Sequence, residues 1–287
     1  MRYLITLVAA AMAAGGLAVP AQAADCDVQC QLDSQRQNAV PRTAFYDAPA
    51  PLPWAPAGAL IREQETADYA VPATRILYHS RTSAGRDVAA SAVVLVPAGK
   101  APARGWPVVV DAHGASGISR DCAPSLMRNL YHGNQMLRFV ERGFAVVAPD
   151  YAGLGTDGRP EIVNKTGESN DVIFAQRAAR RARPDLSPRW VLWGHSQGGA
   201  AALAVADPAF VRYLRTNSTG HLPLGGPVLL LQGDADTVVP ASVTDQVAAS
   251  LCRLGTRLEY RTYPGLEHDT YPWVQGIDDG AMPDILT

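Results

Sequence analysis

The sequence predicts an α/β fold, and two observations carry this prediction. Short apolar runs that are typical of buried strands alternate with longer stretches of helical pattern. The chain of 287 residues contains 47% hydrophobic and 18% charged residues, which is the composition of a globular protein with a substantial core. We therefore expect a mostly parallel sheet with helices on both faces, and functional residues at the carboxyl ends of its strands.

The elements follow from the position of each apolar run and each helical pattern. We expect strands over residues 74–79, 88–96, 106–111, 144–148, 190–193, 227–231 and 258–263, the run over 190–193 being a buried strand. Helices are expected over residues 125–142, 168–183, 197–206 and 242–254.

The first 24 residues are typical of a signal peptide. Arg2 is followed by an apolar stretch and by small residues that offer cleavage after Ala23 or Ala24. We therefore expect a secreted or periplasmic protein. No other apolar run is long enough to cross a bilayer, so no stable membrane insertion is expected.

Residues 25–73 are rich in proline, which fixes φ and removes a hydrogen-bond donor. We expect them to form an arm without long regular elements, anchored by Trp54, that wraps a catalytic domain of residues 74–287. The net charge of −2 gives no reason to expect a nucleic acid partner.

Four cysteines follow the predicted cleavage site. An even number in an exported chain predicts two disulfides, in any of three connectivities. Metal binding is the weaker interpretation, because no partner pair stands at zinc-like spacing. The four are Cys26, Cys30, Cys122 and Cys252.

The strongest signal of chemistry is the pentapeptide Gly194-His195-Ser196-Gln197-Gly198, which has the G-x-S-x-G pattern. An apolar strand ends just before it and an alanine-rich helix begins just after it, so the motif lies on a sharp strand-to-helix turn. The two glycines let strand and helix approach closely. Ser196 is therefore predicted to be a nucleophile.

Such a nucleophile needs an acid and a base, which follow it in this order along the chain. The strand over 227–231 leads into a loop with two aspartates. Asp236 fits the spacing G-x-x-D-x-x-V-P and is the expected acid, whereas Asp234 is expected to shape the turn. His268 follows the last strand and is the expected base. Structural rather than catalytic roles are expected for His79, His132, His195 and His221.

Two backbone N–H groups must stabilise the negative charge that develops on the substrate oxygen. Gln197, the residue after the nucleophile, supplies one of them. The loop after the third predicted strand supplies the other. Ala115 is the expected residue, with Gly114 and Ser116 as alternatives.

Over roughly residues 75–270 the chain resembles the secretory lipase family of α/β-hydrolases. The two most specific matches are Cys122-Ala123-Pro124-Ser125 and the stretch of Asp-Tyr-Ala-Gly-Leu-Gly over 150–155. The resemblance implies an α/β-hydrolase fold, hydrolysis of carboxylic esters and neither a metal nor an organic cofactor. The other matches are His113-Gly114 and the stretches over 193–199, 232–240 and 263–268.

The chain departs from this family between the nucleophile and the acid. Family members usually carry a long insertion there, which supplies a sixth strand and a helical cap. The stretch over 207–226 is short and rich in glycine and proline, so both elements are expected to be missing. The helix over 197–206 would then cross over directly and make the strand over 227–231 the neighbour of the strand over 190–193.

The expected function is that of an esterase or lipase acting on small-molecule esters, including lipid esters, through an acyl-enzyme intermediate. Two alternatives stay open. A serine peptidase or amidase uses the same triad. A non-catalytic hydrolase-like protein would explain the missing cap.

Overall fold

The computed structural model describes residues 28–131, 134–206 and 227–268. The strands in these ranges are β1 (Leu60–Thr66), β2 (Ala73–Arg81), β3 (Asp87–Leu95), β4 (Trp106–Ala112), β5 (Ala145–Pro149), β6 (Leu186–Gly194), β7 (Val228–Gly233) and β8 (Leu258–Tyr263). The α-helices there are α1 (Val28–Asn38), α2 (Asn134–Glu141), α3 (Lys165–Ala182), α4 (Gln197–Ala206) and α5 (Ala241–Arg253).

Six of the strands form one sheet in the order β1-β2-β3-β5-β4-β6. Strands β1, β2 and β3 are antiparallel to one another and β3 is antiparallel to β5, whereas β5, β4 and β6 are parallel. The sheet is therefore mixed rather than mostly parallel. The reason is local, because short connections join β1, β2 and β3 into hairpins, while parallel pairs need a helical crossover.

Strands β7 and β8 form a separate parallel pair. The expectation that β7 is the hydrogen-bonded neighbour of β6 is therefore wrong, since β7 pairs with β8 instead. The burial expected for the strand over 190–193 is also wrong, because β6 ends the six-stranded sheet and Val191 is 57% exposed. Residues 207–226 lie outside the described ranges, so the missing sixth strand and cap stay predictions.

Helices cover both faces of the six-stranded sheet, as predicted. On one face α2 packs Met136 and Phe139 against alternate strand residues such as Val93 and Val146. On the other face, α3 and α4 pack against the intervening strand positions. The buried residues of that face include Val94, Val108, Val147, Val172, Ala175 and Ala201.

The segment before β2 contains more regular structure than expected. Helix α1 precedes Pro41 and strand β1 follows Pro56, so the proline-rich part lies between them. Trp54 is 85% exposed and is not an anchor. Tyr46 takes that role instead, because it is fully buried and its hydroxyl lies 2.8 Å from Oγ of Ser125.

The second helix is shorter than predicted. A 3₁₀ turn at Pro124–Leu126 is followed by Leu130 and Tyr131, whose φ angles are 52° and 70°. Left-handed residues interrupt a right-handed helix, so α2 begins only at Asn134. The bounds of α4 are those predicted, and α5 differs from its predicted range by one residue at each end.

The cysteines do not form the two disulfides that were expected. Cys30 is disulfide-bonded, whereas Cys122 and Cys252 are free thiols. Cys26 and the predicted signal peptide lie outside the described residues. None of the described helices is long and apolar enough to span a membrane.

Candidate active site

Ser196 lies in the turn between β6 and α4. Its φ angle is 52°, a left-handed conformation that a non-glycine residue adopts at some energetic cost. A Cβ on Gly198 would overlap the carbonyl oxygen of Ala112, and one on Gly194 would overlap the backbone of Gly198. Both glycines are therefore required for the close approach of strand and helix that presents the Ser196 side chain.

Asp236 lies in the loop after β7 and is buried. Its Oδ1 atom accepts hydrogen bonds from the backbone N–H groups of Val238 and Val239, at 2.9 and 2.7 Å. Burial by itself would raise the pKa of Asp236, but the bonds from His268 and from these N–H groups hold its pKa below the usual value. Asp236 is therefore held as a carboxylate.

His268 connects Asp236 to Ser196. Its Nδ1 atom lies 2.8 Å from Oδ2 of Asp236, and its Nε2 atom lies 2.9 Å from Oγ of Ser196. A proton on Nδ1 donates to the carboxylate and leaves Nε2 free to accept the serine proton. The structure thus brings the three predicted residues together in the geometry of a nucleophile, a base and an orienting acid.

Asp234, the other acid candidate, makes its hydrogen bond elsewhere. Its Oδ1 atom accepts a hydrogen bond of 2.6 Å from the backbone N–H of Gly265, and the residue is exposed. It joins the turn after β7 to the turn after β8. Asp234 therefore shapes the loop, as the sequence predicts.

Three further side chains hold the loops that carry Asp236 and His268, and the sequence predicts a structural role for one of them, His195. His195 donates from Nε2 to the carbonyl oxygen of His268 at 2.9 Å. Glu267 accepts from the backbone N–H and the hydroxyl of Thr237, both at 3.1 Å. Gln232 donates to Oδ2 of Asp236 at 3.1 Å. Each is next to a motif residue or within the acid motif, which is the only signal that could have found them.

The loop after β4 faces the first turn of α4, which begins at Gln197. The predicted oxyanion residue Ala115 is exposed, and its carbonyl oxygen accepts from the hydroxyl of Tyr131 at 2.8 Å. Ser116, one of the alternatives, lines a cavity together with Gln197. The choice of the second N–H donor among Ala115, Gly114 and Ser116 stays a prediction.

The two most specific sequence motifs meet beneath this loop. Asp150 is buried and accepts from the backbone N–H and the hydroxyl of Ser125, at 2.7 and 2.5 Å. Tyr151 stacks on His113 with 4.1 Å between ring centroids and donates to its carbonyl oxygen at 2.9 Å. Burial lowers the pKa of His113 to about 4, so this ring is neutral near pH 7 and shapes the loop.

A cavity of about 380 Å³ opens beside the turn that carries Ser196. Gln197 lines it and donates from Nε2 to Oε1 of Glu168 at 2.6 Å. Burial raises the pKa of Glu168 to about 7. Sequence reasoning missed this carboxyl, since only the packing of α3 against α4 brings it to the site.

His79, one of the other histidines of the sequence, lies outside the site. His79 is buried in β2 and its Nδ1 atom lies 3.0 Å from Oδ2 of Asp87, which is a structural pair. His132 and His221 lie outside the described residues. Among the residues that the structure describes, no group of three or more histidine, cysteine, aspartate or glutamate side chains is arranged to hold a metal ion.

Solved lipases and esterases share this fold. Lipase A of Candida antarctica in its closed state superposes with a TM-score of 0.61 at 13% identity, over 80% of this chain and 83% of that chain. The esterase LipA of Xanthomonas oryzae, described as degrading the rice cell wall, gives 0.58 at 16% identity over 81% and 96%. No family model and no curated relative matches the sequence. At this identity the likeness establishes a fold shared with α/β-hydrolases.

Proposed function

We propose that this chain is a serine hydrolase that cleaves carboxylic esters, in the manner of the secretory lipase family. The single observation that carries this proposal is the continuous hydrogen-bonded series from Asp236 through His268 to Ser196. The fold it shares with lipases and esterases agrees with ester substrates, including lipid esters.

In the proposed reaction, Nε2 of His268 takes the proton from Oγ of Ser196 while the oxygen attacks the ester carbonyl carbon. The backbone N–H of Gln197 and a second N–H from the loop after β4, assigned to Ala115, stabilise the oxyanion. The imidazolium then returns its proton to the leaving alcohol, and an acyl-enzyme remains. Water, deprotonated by the same histidine, releases the acid and restores Ser196.

The proposed setting of this reaction is outside the cytoplasm. Residues 1–24 read as a signal peptide, so the mature enzyme is proposed to be secreted or periplasmic. Its catalytic domain is proposed to span residues 74–287.

The proposal is tested by rate measurements on matched substrates. The wild type and Ser196→Ala are compared on p-nitrophenyl butyrate and on the matching p-nitroanilide. Hydrolysis of the ester at least about a hundredfold faster than that of the anilide, and lost in Ser196→Ala, supports an esterase. Preference for the anilide would instead indicate an amidase, and no hydrolysis of either would indicate a non-catalytic protein.

A further inference from the structure

The cavity beside Ser196 contains polar atoms that the proposed reaction does not use. Gln197 and Ser116, both considered above as oxyanion donors, line it together with Glu168 in the first turn of α3. The Gln197 side chain connects the two, because its backbone N–H faces the reaction while its amide reaches Glu168. The side chain of Gln197 therefore separates Glu168 from the position proposed for the ester carbonyl.

Three buried oxygens of this wall accept no hydrogen bond of normal geometry from the described residues. They are Oε2 of Glu168, Oε1 of Gln197 and Oγ of Ser116. A buried polar atom without a partner is costly, and the cost remains when an alkyl group fills the cavity and excludes water. A substrate group that donates a hydrogen bond to one of these oxygens removes this energetic cost. The wall of the cavity therefore favours a polar occupant.

The charges around the cavity argue against a cationic occupant. The other carboxylates of the lining already have hydrogen bonds or ion pairs: Asp87, Asp157, Glu161 and Asp171. Three guanidinium groups of the lining would repel a cationic ligand: Arg81, Arg86 and Arg159. A hydroxyl group suits the remaining atoms, because it donates to a carboxyl or amide oxygen and accepts from a serine.

We infer that Glu168 selects esters that carry a hydroxyl group a few bonds from the ester carbonyl, in the acyl or the alcohol part. This inference rests on the proposed esterase function. The terminal torsion of a glutamate side chain is broad, so a modest rotation turns Oε2 toward the cavity.

The protonation state of Glu168 is compatible with this role. Burial raises its pKa to about 7, in spite of the Gln197 amide and the backbone near Val163, which favour the charged form. The titratable groups around it are Asp171 on the same helix and, on the elements packed against it, Glu161, His113 and Tyr151. Near neutral pH both forms are present, and each of them can bond to a hydroxyl group.

The test compares kcat/KM for pairs of esters that differ by one hydroxyl group. In the acyl arm, p-nitrophenyl 3-hydroxybutyrate is compared with p-nitrophenyl butyrate. In the alcohol arm, 2-hydroxypropyl butyrate is compared with propyl butyrate in a pH-stat. The wild type is expected to favour the hydroxylated member by about tenfold in one arm, and that arm identifies the part of the substrate that the cavity holds.

Variants of Glu168 assign the preference to its carboxyl. Glu168→Met has a similar volume and no polar atom, and its ratio is expected to fall to about 1. Glu168→Gln keeps an acceptor for Gln197 and places a donor where Oε2 stands, so its ratio is expected to fall by about threefold. This variant provides the test if Glu168→Met does not fold. Glu161→Gln is the matched control: Glu161 lines the same cavity but bonds to Ser83, so the ratio should stay at the wild-type value.

Three results would overturn the inference in distinguishable ways. If the wild type cleaves both members of each pair equally well, the selection does not exist. If the Glu168 variants keep the wild-type ratio, Glu168 does not supply the selection. In both cases the esterase function stands. If the wild type cleaves no member of any pair, the proposed function is itself wrong and the inference fails with it.

Discussion

The Nε2 atom of His268 lies 2.9 Å from Oγ of Ser196, although the two residues follow strands of different sheets. β8, which leads to His268, pairs only with β7 among the described strands, while Ser196 follows β6 of the six-stranded sheet. Contacts between the loops after these strands keep Ser196 and His268 close to each other. The bond from His195 to the carbonyl oxygen of His268 is one of these, and it spans 2.9 Å.

The two aspartates of the acid loop are expected to differ sharply when changed. Asp236→Asn removes the carboxylate that fixes the tautomer of His268, so kcat should fall by about 10³- to 10⁴-fold. Asp234→Asn keeps an oxygen for the N–H of Gly265 and should cost less than about tenfold. Steady-state kinetics on a p-nitrophenyl ester decides between them. Equal losses, or the reverse order, would move the acid to Asp234.

Two glycines that follow Ser196 are expected to differ sharply in how much an added methyl group destabilises the protein. Gly198→Ala forces a Cβ into the carbonyl oxygen of Ala112, so it should lower the free energy of unfolding by about 3 kcal/mol or more, or prevent folding. Gly199→Ala is the matched control, because the nearest atom to its Cβ is 3.5 Å away. That variant should change stability by less than about 1 kcal/mol. Denaturant unfolding of both variants measures the change in the free energy of unfolding. Equal stabilities would contradict the close approach of β6 and α4 at Ser196.

Buried carboxyls should make the protein less stable as the pH rises toward neutrality. Burial raises the pKa of Glu168 and of Asp171 to about 7, above their ordinary values. The folded chain therefore holds more protons than the unfolded chain between about pH 4 and pH 7. The free energy of unfolding should fall through that window as the pH rises.

Replacing one of these carboxyls tests the sign of the effect. Glu168→Gln should flatten the pH dependence by on the order of 1–3 kcal/mol between pH 4 and pH 7. Glu141→Gln, at the exposed end of α2, should leave it as in the wild type. Denaturant unfolding at several pH values gives the slopes. Parallel slopes for the wild type and Glu168→Gln would show that this carboxyl ionises normally in the folded protein.

The acyl preference should be for short or medium chains. The cavity beside Ser196 holds about 380 Å³ and contains unpaired polar atoms, so it offers a long alkyl chain little continuous apolar wall. Each buried methylene is worth about 0.8 kcal/mol only where water is excluded. A chain-length series of p-nitrophenyl esters, run below and above the solubility limit, should show no jump in rate at the interface. A steady rise in kcat/KM to long chains with such a jump would point to an acyl tunnel.

The residues of the proposed triad could be predicted because local chemistry fixes them. Ser196 needs glycines on both sides of a sharp turn, and the pentapeptide over 194–198 shows both of them. Asp236 needs backbone N–H groups two and three residues further on, which a single loop provides. Spacing along the chain therefore pointed to Ser196 and Asp236, and strand order pointed to His268, as side chains that the fold brings together.

The parts that could not be predicted depend on distant packing. The separation of β7 from β6 is decided by which strand edges meet, and apolar runs carry no information about their partners. Glu168 reaches Gln197 only because α3 crosses α4, so an acidic residue in a first helical turn gave no sign of it. Most prolines of the first segment lie between Pro41 and Pro56, so the high proline content of residues 25–73 hides a helix before that stretch and a strand after it.

Covalent labelling of Ser196 tests the central claim most directly. A fluorophosphonate reacts with a serine only where a base and an oxyanion site activate it. Mass spectrometry after digestion should find the added phosphonyl group on the peptide that contains Ser196, at near stoichiometric yield. Ser196→Ala should remove the label and His268→Gln should slow labelling by orders of magnitude. A wild-type protein that stays unlabelled, or that carries the label on another serine, would contradict the account.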